Sequence, residues 1–384
     1  LTIKIFIAGC GAVSHGLIQY LERDKQVKQI LCCDKNLERA TKFLSENYKK
    51  TSLVKGDSSV TSEIVKLARG FDIIINASLP EFNLKLMRAA YRIGADYMDF
   101  CSYAGGQSKK LKELSNPEQF CYDGKFKKKK LLGLINAGVA AGISNIMVAE
   151  CASRLSEVDS VKIVLLEEQK SRVPIFSWSP EVILDEIVAP PVVFRNGKFA
   201  LEKPFYGKET IKFPAPIGKK RVAGGWGDEI ITLPRYIKAR NFEMKACGSE
   251  LELETKIFKG KNLDYIANNA IVTPTPEEVE NLVKNGIIKS AVFAILVEAV
   301  GMKGGRKETE KMYAIFPDAK QIVKKCSGAT YISWPTGFAA YAFLKTMPKI
   351  KETGVMAPEC LEGKLRMEIF DMLKNEGVRM NKYL

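Results

Sequence analysis

The 384-residue chain is longer than a single hydrophobic core usually serves, so two domains are expected. With 46% hydrophobic and 27% charged residues it has the balance of a soluble globular protein, and no apolar run approaches the roughly 18 residues of a membrane-spanning helix. The formal charge of +15 is scattered over helix-like segments rather than gathered in one stripe with aromatics, so no nucleic-acid partner and no membrane partner are expected, and the positive field suits an anionic cofactor and carboxylate substrates.

The sequence opens directly on an apolar strand, LTIKIFIAGCG, with no charged leader before it, and a cytoplasmic location is the expectation. Over the first 140 residues, apolar β-branched runs alternate with amphipathic segments, the signature of a parallel sheet with crossover helices. Strands are predicted at 3–8, 29–33, 52–55, 72–77, 97–100 and 131–135, and helices at 15–23, 37–47, 59–68 and 83–93. The lysine run 127–130 reads as a solvated entry to the last of these strands.

From about Ile143 the pattern changes to a helix through Arg154 and then an alternating run from Asp159 to Leu166. A Pro-rich stretch, Lys203 to Pro216, reads as an extended connection or edge strand. TPTPEEVENLVKNG carries proline and acids at its start and Asn-Gly at its end, so a helix is predicted over 275–285. Segments 253–259, 290–300 and 313–316 read as strands of a second, mixed sheet, and the tail reads as two helices separated by a turn. The fold class is therefore α/β: a Rossmann-type doubly wound parallel sheet over 1–142, an α+β substrate and dimerisation domain over 143–325, and a helical segment over 326–384.

The strongest motif is GCGAVSHG, Gly9 to Gly16, which follows an apolar strand and opens a helix, with Ala12 and Val13 expected beside the cofactor. Gly9 permits the tight turn, and Gly11 lets the backbone approach a pyrophosphate seated on the helix N-terminus. Ser14 stands where a third glycine is usual. Asp34 ends the second strand 23 residues after Gly11, near the spacing of the acid that bonds the adenosine ribose. A carboxylate there favours NAD, while Lys35 and Arg39 offer a 2′-phosphate of NADP a cation. Asp57 follows the third strand toward the adenine edge, and Asn76, Ala77 and Ser78 end the fourth where the crevice opens to the nicotinamide. His15, the one histidine, reads as a polar residue of the first helical turn. With it alone, histidine metal clusters and a Ser-His-Asp triad elsewhere are excluded. Nine cysteines without a C-x-x-C pair read as free thiols, and no metal is expected.

Several further segments resemble the saccharopine dehydrogenase-like family, in particular its L-lysine 6-dehydrogenase branch: INASLP (75–80), GADYMDF (94–100), NAGVAAGISNIM (136–147), FSWSPEVILDEIVAPPVVFRNGK (176–198), TLPRY (232–236), PTGF (335–338) and GVMAPE (354–359). Asn136 stands where the family often has aspartate, and Ala141 where it has proline. The resemblance implies NAD-dependent oxidation of the 6-amino group of L-lysine to 2-aminoadipate 6-semialdehyde, a homodimer, and C-terminal helices that return to the Rossmann domain.

Such chemistry needs a proton acceptor at the amine and a cation for a substrate carboxylate. Asp99, at a strand end facing the crevice, is the expected catalytic residue, followed by Ser102 and Tyr103 at the substrate. Arg235 is the expected carboxylate clamp, because a guanidinium forks onto two oxygens. Trp178, Ser179 and Thr336 are expected to line the pocket, and Asn145 to reach the nicotinamide amide or the substrate. Cys101, near the crevice, reads as a packed thiol. Two other readings stay open: a reductive condensation of the saccharopine reductase or carboxynorspermidine synthase kind, and a cofactor-binding sensor without turnover.

Overall fold

A computed structural model describes residues 2–103, 110–261 and 263–382. The N-terminal half runs β1 (Ile3–Ala8), α1 (Ala12–Arg23), β2 (Val27–Asp34), α2 (Leu37–Thr41), β3 (Thr51–Lys55), α3 (Thr61–Leu67), β4 (Ile73–Asn76), α4 (Asn83–Ile93), β5 (Asp96–Asp99), α5 (Leu111–Leu114), α6 (Asp123–Lys129) and β6 (Leu132–Leu134). Its strands are parallel and lie in the order β6-β5-β4-β1-β2-β3, the doubly wound arrangement in which the crossover from β3 back to β4 beside β1 opens a crevice at the strand ends. β4 and the Ile5–Ala8 part of β1 are buried on both faces, as their apolar runs require.

The second half contains α7 (Ile143–Ala152), β7 (Glu157–Ser171), β8 (Ile175–Phe176), α8 (Pro180–Val188), β9 (Val192–Arg195), β10 (Lys198–Leu201), β11 (Tyr206–Lys212), β12 (Lys219–Gly224), α9 (Asp228–Thr232), β13 (Asn241–Cys247), α10 (Ser249–Phe258), α11 (Leu263–Asn269), β14 (Ile271–Val272), α12 (Pro276–Lys284), β15 (Ile288–Lys303), β16 (Arg306–Ile315), α13 (Ala319–Lys325), α14 (Ser333–Thr346), β17 (Gly354–Met356), α15 (Gly363–Asn375) and β18 (Arg379–Lys382). Nine of these strands form a mixed sheet centred on the long antiparallel pair β7 and β15, with β13 parallel to β7.

Three expectations are corrected. Segment 253–259 is the end of helix α10: the L-E-L-E alternation imitates a strand, but Glu250 and Glu252 in the first turn suit the positive helix end. The helix expected over 37–47 stops at Thr41. In the tail, the first predicted helix is α14, but GVM is not helical: it adds β17 to the Rossmann sheet as a seventh parallel strand beside β6.

One hydrophobic core runs from the Rossmann sheet through α14 into the second sheet. Helix α14 is apolar on nearly every side and buried along its length, as a helix between two layers must be. It crosses α1 at backbone distance: a Cβ on Gly337 would lie 2.6 Å from Leu17 N and one on Gly16 2.8 Å from Ser333 O. Trp334 then donates its indole N–H to Tyr20 Oη at 2.9 Å and stacks on Phe338. Because backbone cannot yield as a side chain does, Gly337→Val is expected to lower stability by about 3 kcal/mol or more, read as a shifted urea midpoint with the slope unchanged.

Candidate active site

The chain leaves β1 through Gly9, whose φ of 92° and whose approach to Ala77 admit no side chain: a Cβ would stand 2.7 Å from Ala77 O. Ser14 Oγ donates to Gly9 O at 2.6 Å and closes the loop. At Gly11, the N-cap of α1, a Cβ would meet nothing within 4 Å, the first turn carries no acid, and no side chain caps the free N–H groups. This open cradle on a positive helix end fits a pyrophosphate. Gly16, rather than residue 14, is the glycine that lets a neighbouring element approach, here α14.

Asp34 ends β2 with Oδ2 accepting from Cys10 N at 2.9 Å and Oδ1 from Asn36 N at 2.9 Å, which fixes the carboxylate beside the glycine loop. Arg39 faces the same crevice and donates Nη2 to Thr273 O at 3.2 Å, across from the second half of the chain. Lys35 and Asp57 pair with each other at 3.2 Å and do not line the crevice. Asn76 Oδ1 accepts from Ser78 N and Oγ, so the turn after β4 is held by its own side chain.

The crevice between the two sheets is a cavity of about 720 Å³. Gly9, Gly11, Ala12 and Val13 line it from the loop and α1, and Asp34, Asn76, Ala77, Ser78 and Asp99 from the strand ends. Trp178, Ser179 and Thr336 close it from the other side. Four residues expected at the substrate lie elsewhere. Asn145 is fully buried, accepting from Gly142 N and donating to Thr232 Oγ1 and Glu359 Oε2, so it ties α7 to its neighbours. Ser102 is buried with Oγ donating to Asn136 Oδ1 at 3.0 Å, and Tyr103 is half-buried just before the undescribed segment 104–109. Arg235 is carried away by the turn after α9: it is exposed, lies 4.0 Å over the Phe120 ring, donates to Asn116 Oδ1, and faces a separate surface cavity. The clamp expectation for Arg235 is therefore corrected.

Asp99 is a buried strut. Its Oδ1 accepts from Asn136 N at 2.7 Å and its Oδ2 from Gln119 Nε2 at 3.1 Å, and burial pushes the carboxyl up to about 7. An aspartate at 136 would set a second buried carboxylate beside it, so asparagine relieves repulsion there.

What the sequence reading missed is a set of acids. The crevice is also lined by Glu167 on β7, Glu181 and Glu186 on α8, Asp228 and Glu229 on α9, and Glu254 on α10. With Asp34 and Asp99 this makes eight carboxylates against one cation, Arg39, among the described lining residues. Burial, reinforced by the neighbouring Glu250, lifts Glu167 to about 8; burial also lifts Glu186, Glu229 and Glu254. Asp228 is raised to about 7 by burial and by Glu229, against hydrogen bonds from Ser102 N at 2.9 Å and Trp226 Nε1 at 3.1 Å. The glutamate pair that ends an apolar run in VLLEEQ and the acid pair in GGWGDE were the available signals. The carboxylates sit on four different elements, and only the fold gathers them.

Compared with known proteins, residues 5–133 match the family described as saccharopine dehydrogenase NADP binding domain. Carboxyaminopropylagmatine dehydrogenase of Synechocystis sp. is 26% identical over 149 residues, 38% of this chain and 37% of that protein. Carboxynorspermidine synthase of Vibrio cholerae is 23% identical over 228 residues, 56% of this chain and 54% of that protein, so the chain spans about half the length of these curated relatives or less. Among solved structures, homospermidine synthase of Legionella pneumophila in complex with NAD superposes with a TM-score of 0.75 at 13% identity, over 100% of this chain and 91% of that one. Apo saccharopine dehydrogenase (L-Glu forming) of Saccharomyces cerevisiae gives 0.65 at 12%, over 100% of both chains. At these identities the two structures share the fold.

Two outcomes follow from this geometry. Gly11→Val is expected to leave the urea midpoint unchanged and to weaken NAD(H) or NADP(H) binding at least about tenfold in a fluorescence titration, because the added methyls enter only the dinucleotide cradle. The raised acids fix the sign of the pH effect. As pH climbs from the ordinary glutamate range to about 8, the unfolded chain ionises before the buried Glu167, so the stability contributed by that group is complete at low pH and lost by about 8. The urea midpoint of the ligand-free protein should fall between about pH 5 and about pH 8.5, and Glu167→Gln should make that fall smaller.

Proposed function

We propose that this saccharopine dehydrogenase-like chain, an NAD(P)-binding oxidoreductase, forms the C–N bond of a polyamine by reductive condensation of an amine with an aldehyde. The observation that carries the reading is the inversion of charge: a protein of formal charge +15 lines its substrate crevice with eight carboxylates and one arginine. Such a crevice recognises a ligand with two or more ammonium groups, and its desolvated acids await the counter-charge that the ligand brings. Deamination of L-lysine is supported less, because among the described residues Arg39 is the one cation that lines the cavity and could hold an α-carboxylate. The relatives named for carboxyaminopropylagmatine, carboxynorspermidine and homospermidine agree with a substrate that carries a polyamine chain.

The residues divide the work by position. Gly9, Gly11 and the start of α1 hold the pyrophosphate, and Asp34 the adenosine ribose. Asp34 favours NAD, and Arg39 offers the 2′-phosphate of NADP a partner, so either dinucleotide is accommodated. The bound dinucleotide supplies the hydride. Glu186, Glu167 and Glu254 hold ammonium groups, and Trp178 packs on the alkyl chain between them.

The experiment is oxidation of NADH or NADPH by the purified protein with putrescine or 1,3-diaminopropane and either an aminoaldehyde or a carboxylate-bearing semialdehyde, with product identified by mass. Glu186→Gln and Glu167→Gln should each raise KM for the amine about tenfold or more, as loss of a charge-assisted contact does, and leave dinucleotide affinity unchanged. NADH formation from lysine alone, with no condensation of any pair, would overturn the reading in favour of an amine dehydrogenase.

A further inference from the structure

Condensation requires a group that removes a proton from the incoming ammonium and returns it to the departing hydroxyl. Two of the crevice carboxyls held by hydrogen-bond partners, Asp99 and Asp228, differ in what their acid forms can do. A proton on Asp99 finds acceptors inside the protein: the Tyr97 hydroxyl interacts with it, and Gln119 beside it has an unpartnered buried Oε1 that a flip of the amide brings to the carboxyl. Asp228 is held by the indole N–H of Trp226 on Oδ1 and by the backbone N–H of Ser102 on Oδ2. Both partners donate and neither accepts, so they orient the carboxyl and, among the described residues, offer its own proton no acceptor. Asp228 lines the crevice from α9, as Asp99 does from the end of β5.

We propose that Asp228 is the proton-transfer residue of the condensation, an assignment that rests on the reaction proposed above. Its carboxylate takes one proton from the substrate ammonium, freeing the nitrogen lone pair to attack the aldehyde carbon. A proton passes from nitrogen to oxygen in the adduct and gives a carbinolamine. Asp228, now the acid, gives its proton to the carbinolamine hydroxyl; the C–O bond breaks, water leaves, and the nitrogen lone pair makes the C=N bond of an iminium. The regenerated carboxylate pairs with that cation until hydride reaches the carbon. In sum, aldehyde, ammonium and reduced dinucleotide give secondary amine, water and oxidised dinucleotide, with Asp228 unchanged.

The surroundings match the task. Asp228 is faced by Asp99 and Cys101 from β5 and the turn after it, by Glu186 from α8 and by Glu229 on its own helix, with no cation among the described residues. Burial and these neighbours hold it at about 7, where acid and base forms are both populated near neutrality.

Asp228→Asn and Asp228→Glu test the assignment. Asp228→Asn keeps one acceptor oxygen for Trp226 or Ser102 and turns its amide NH2 toward the other, so dinucleotide affinity serves as its folding control. Condensation kcat should fall at least about a hundredfold with KM little changed, reduction of a preformed cyclic imine should fall far less, and Asp228→Glu should recover part of the loss with a displaced pH limb. A second measurement needs no turnover: binding of a bis-quaternary alkyl diamine to the dinucleotide-loaded protein at about pH 7, by calorimetry in buffers of different ionisation enthalpy, should release protons, and Asp228→Asn should release fewer. Equal proton release by both proteins, or equal loss of condensation and of imine reduction, overturns the assignment. A wild-type protein that condenses no pair but releases protons through Asp228 overturns the reaction while leaving the cation contact of Asp228 standing.

Discussion

The crossing of α1 and α14 is the contact on which the rest of the structure depends. Two helices separated by more than 300 residues of chain meet backbone to backbone because Gly16 and Gly337 carry no side chain. One of them opens with the dinucleotide cradle; the other carries Thr336 into the opposite wall of the crevice. The facing of the Rossmann strand ends by the second sheet thus rests on a backbone packing distance, to which the Trp334–Tyr20 and Arg39–Thr273 hydrogen bonds are added. Dense cores transmit such distances with little give.

Around that frame, electrostatics are arranged against the average of the chain. Lysines cover the outside, and acids are drawn from β7, α8, α9 and α10 into one cavity. Buried carboxylates without partners are costly, and proteins keep them where a ligand or a proton will compensate. Burial favours the protonated forms of several of these groups, and in the reaction proposed above a polycation would take the place of those protons.

Much of the fold was legible in sequence, and less of the site. The glycine loop and the strands that follow it could be read because a dinucleotide cradle is made by consecutive residues: turn glycine, helix start and strand-end acid fall at fixed spacings. The substrate side has no such compression. Glu167, Glu186, Asp228 and Glu254 are far apart in sequence and look like ordinary alternation or helix polarity where they stand. Arg235 was expected at the substrate because guanidinium suits a carboxylate, yet the short helical turn after α9 points it outward onto Phe120. The strand GVM escaped notice because three residues carry no period, and it is buried by neighbours far away in sequence, β6, α6 and the turn before α6. Ser14 in place of a glycine signified little, since Gly16 performs the close approach one half-turn later.

The seventh strand gives the fold a temporal order. β17 completes the sheet that begins at β1, so while the chain is being made, β6 presents an open parallel edge until residue 356 has emerged and the second sheet has formed around it. Unpaired edges invite association with other chains. Six strands of that sheet therefore precede the second half in the chain and the seventh follows it, so the open edge of β6 lasts at least as long as the segment between 134 and 354 takes to be made.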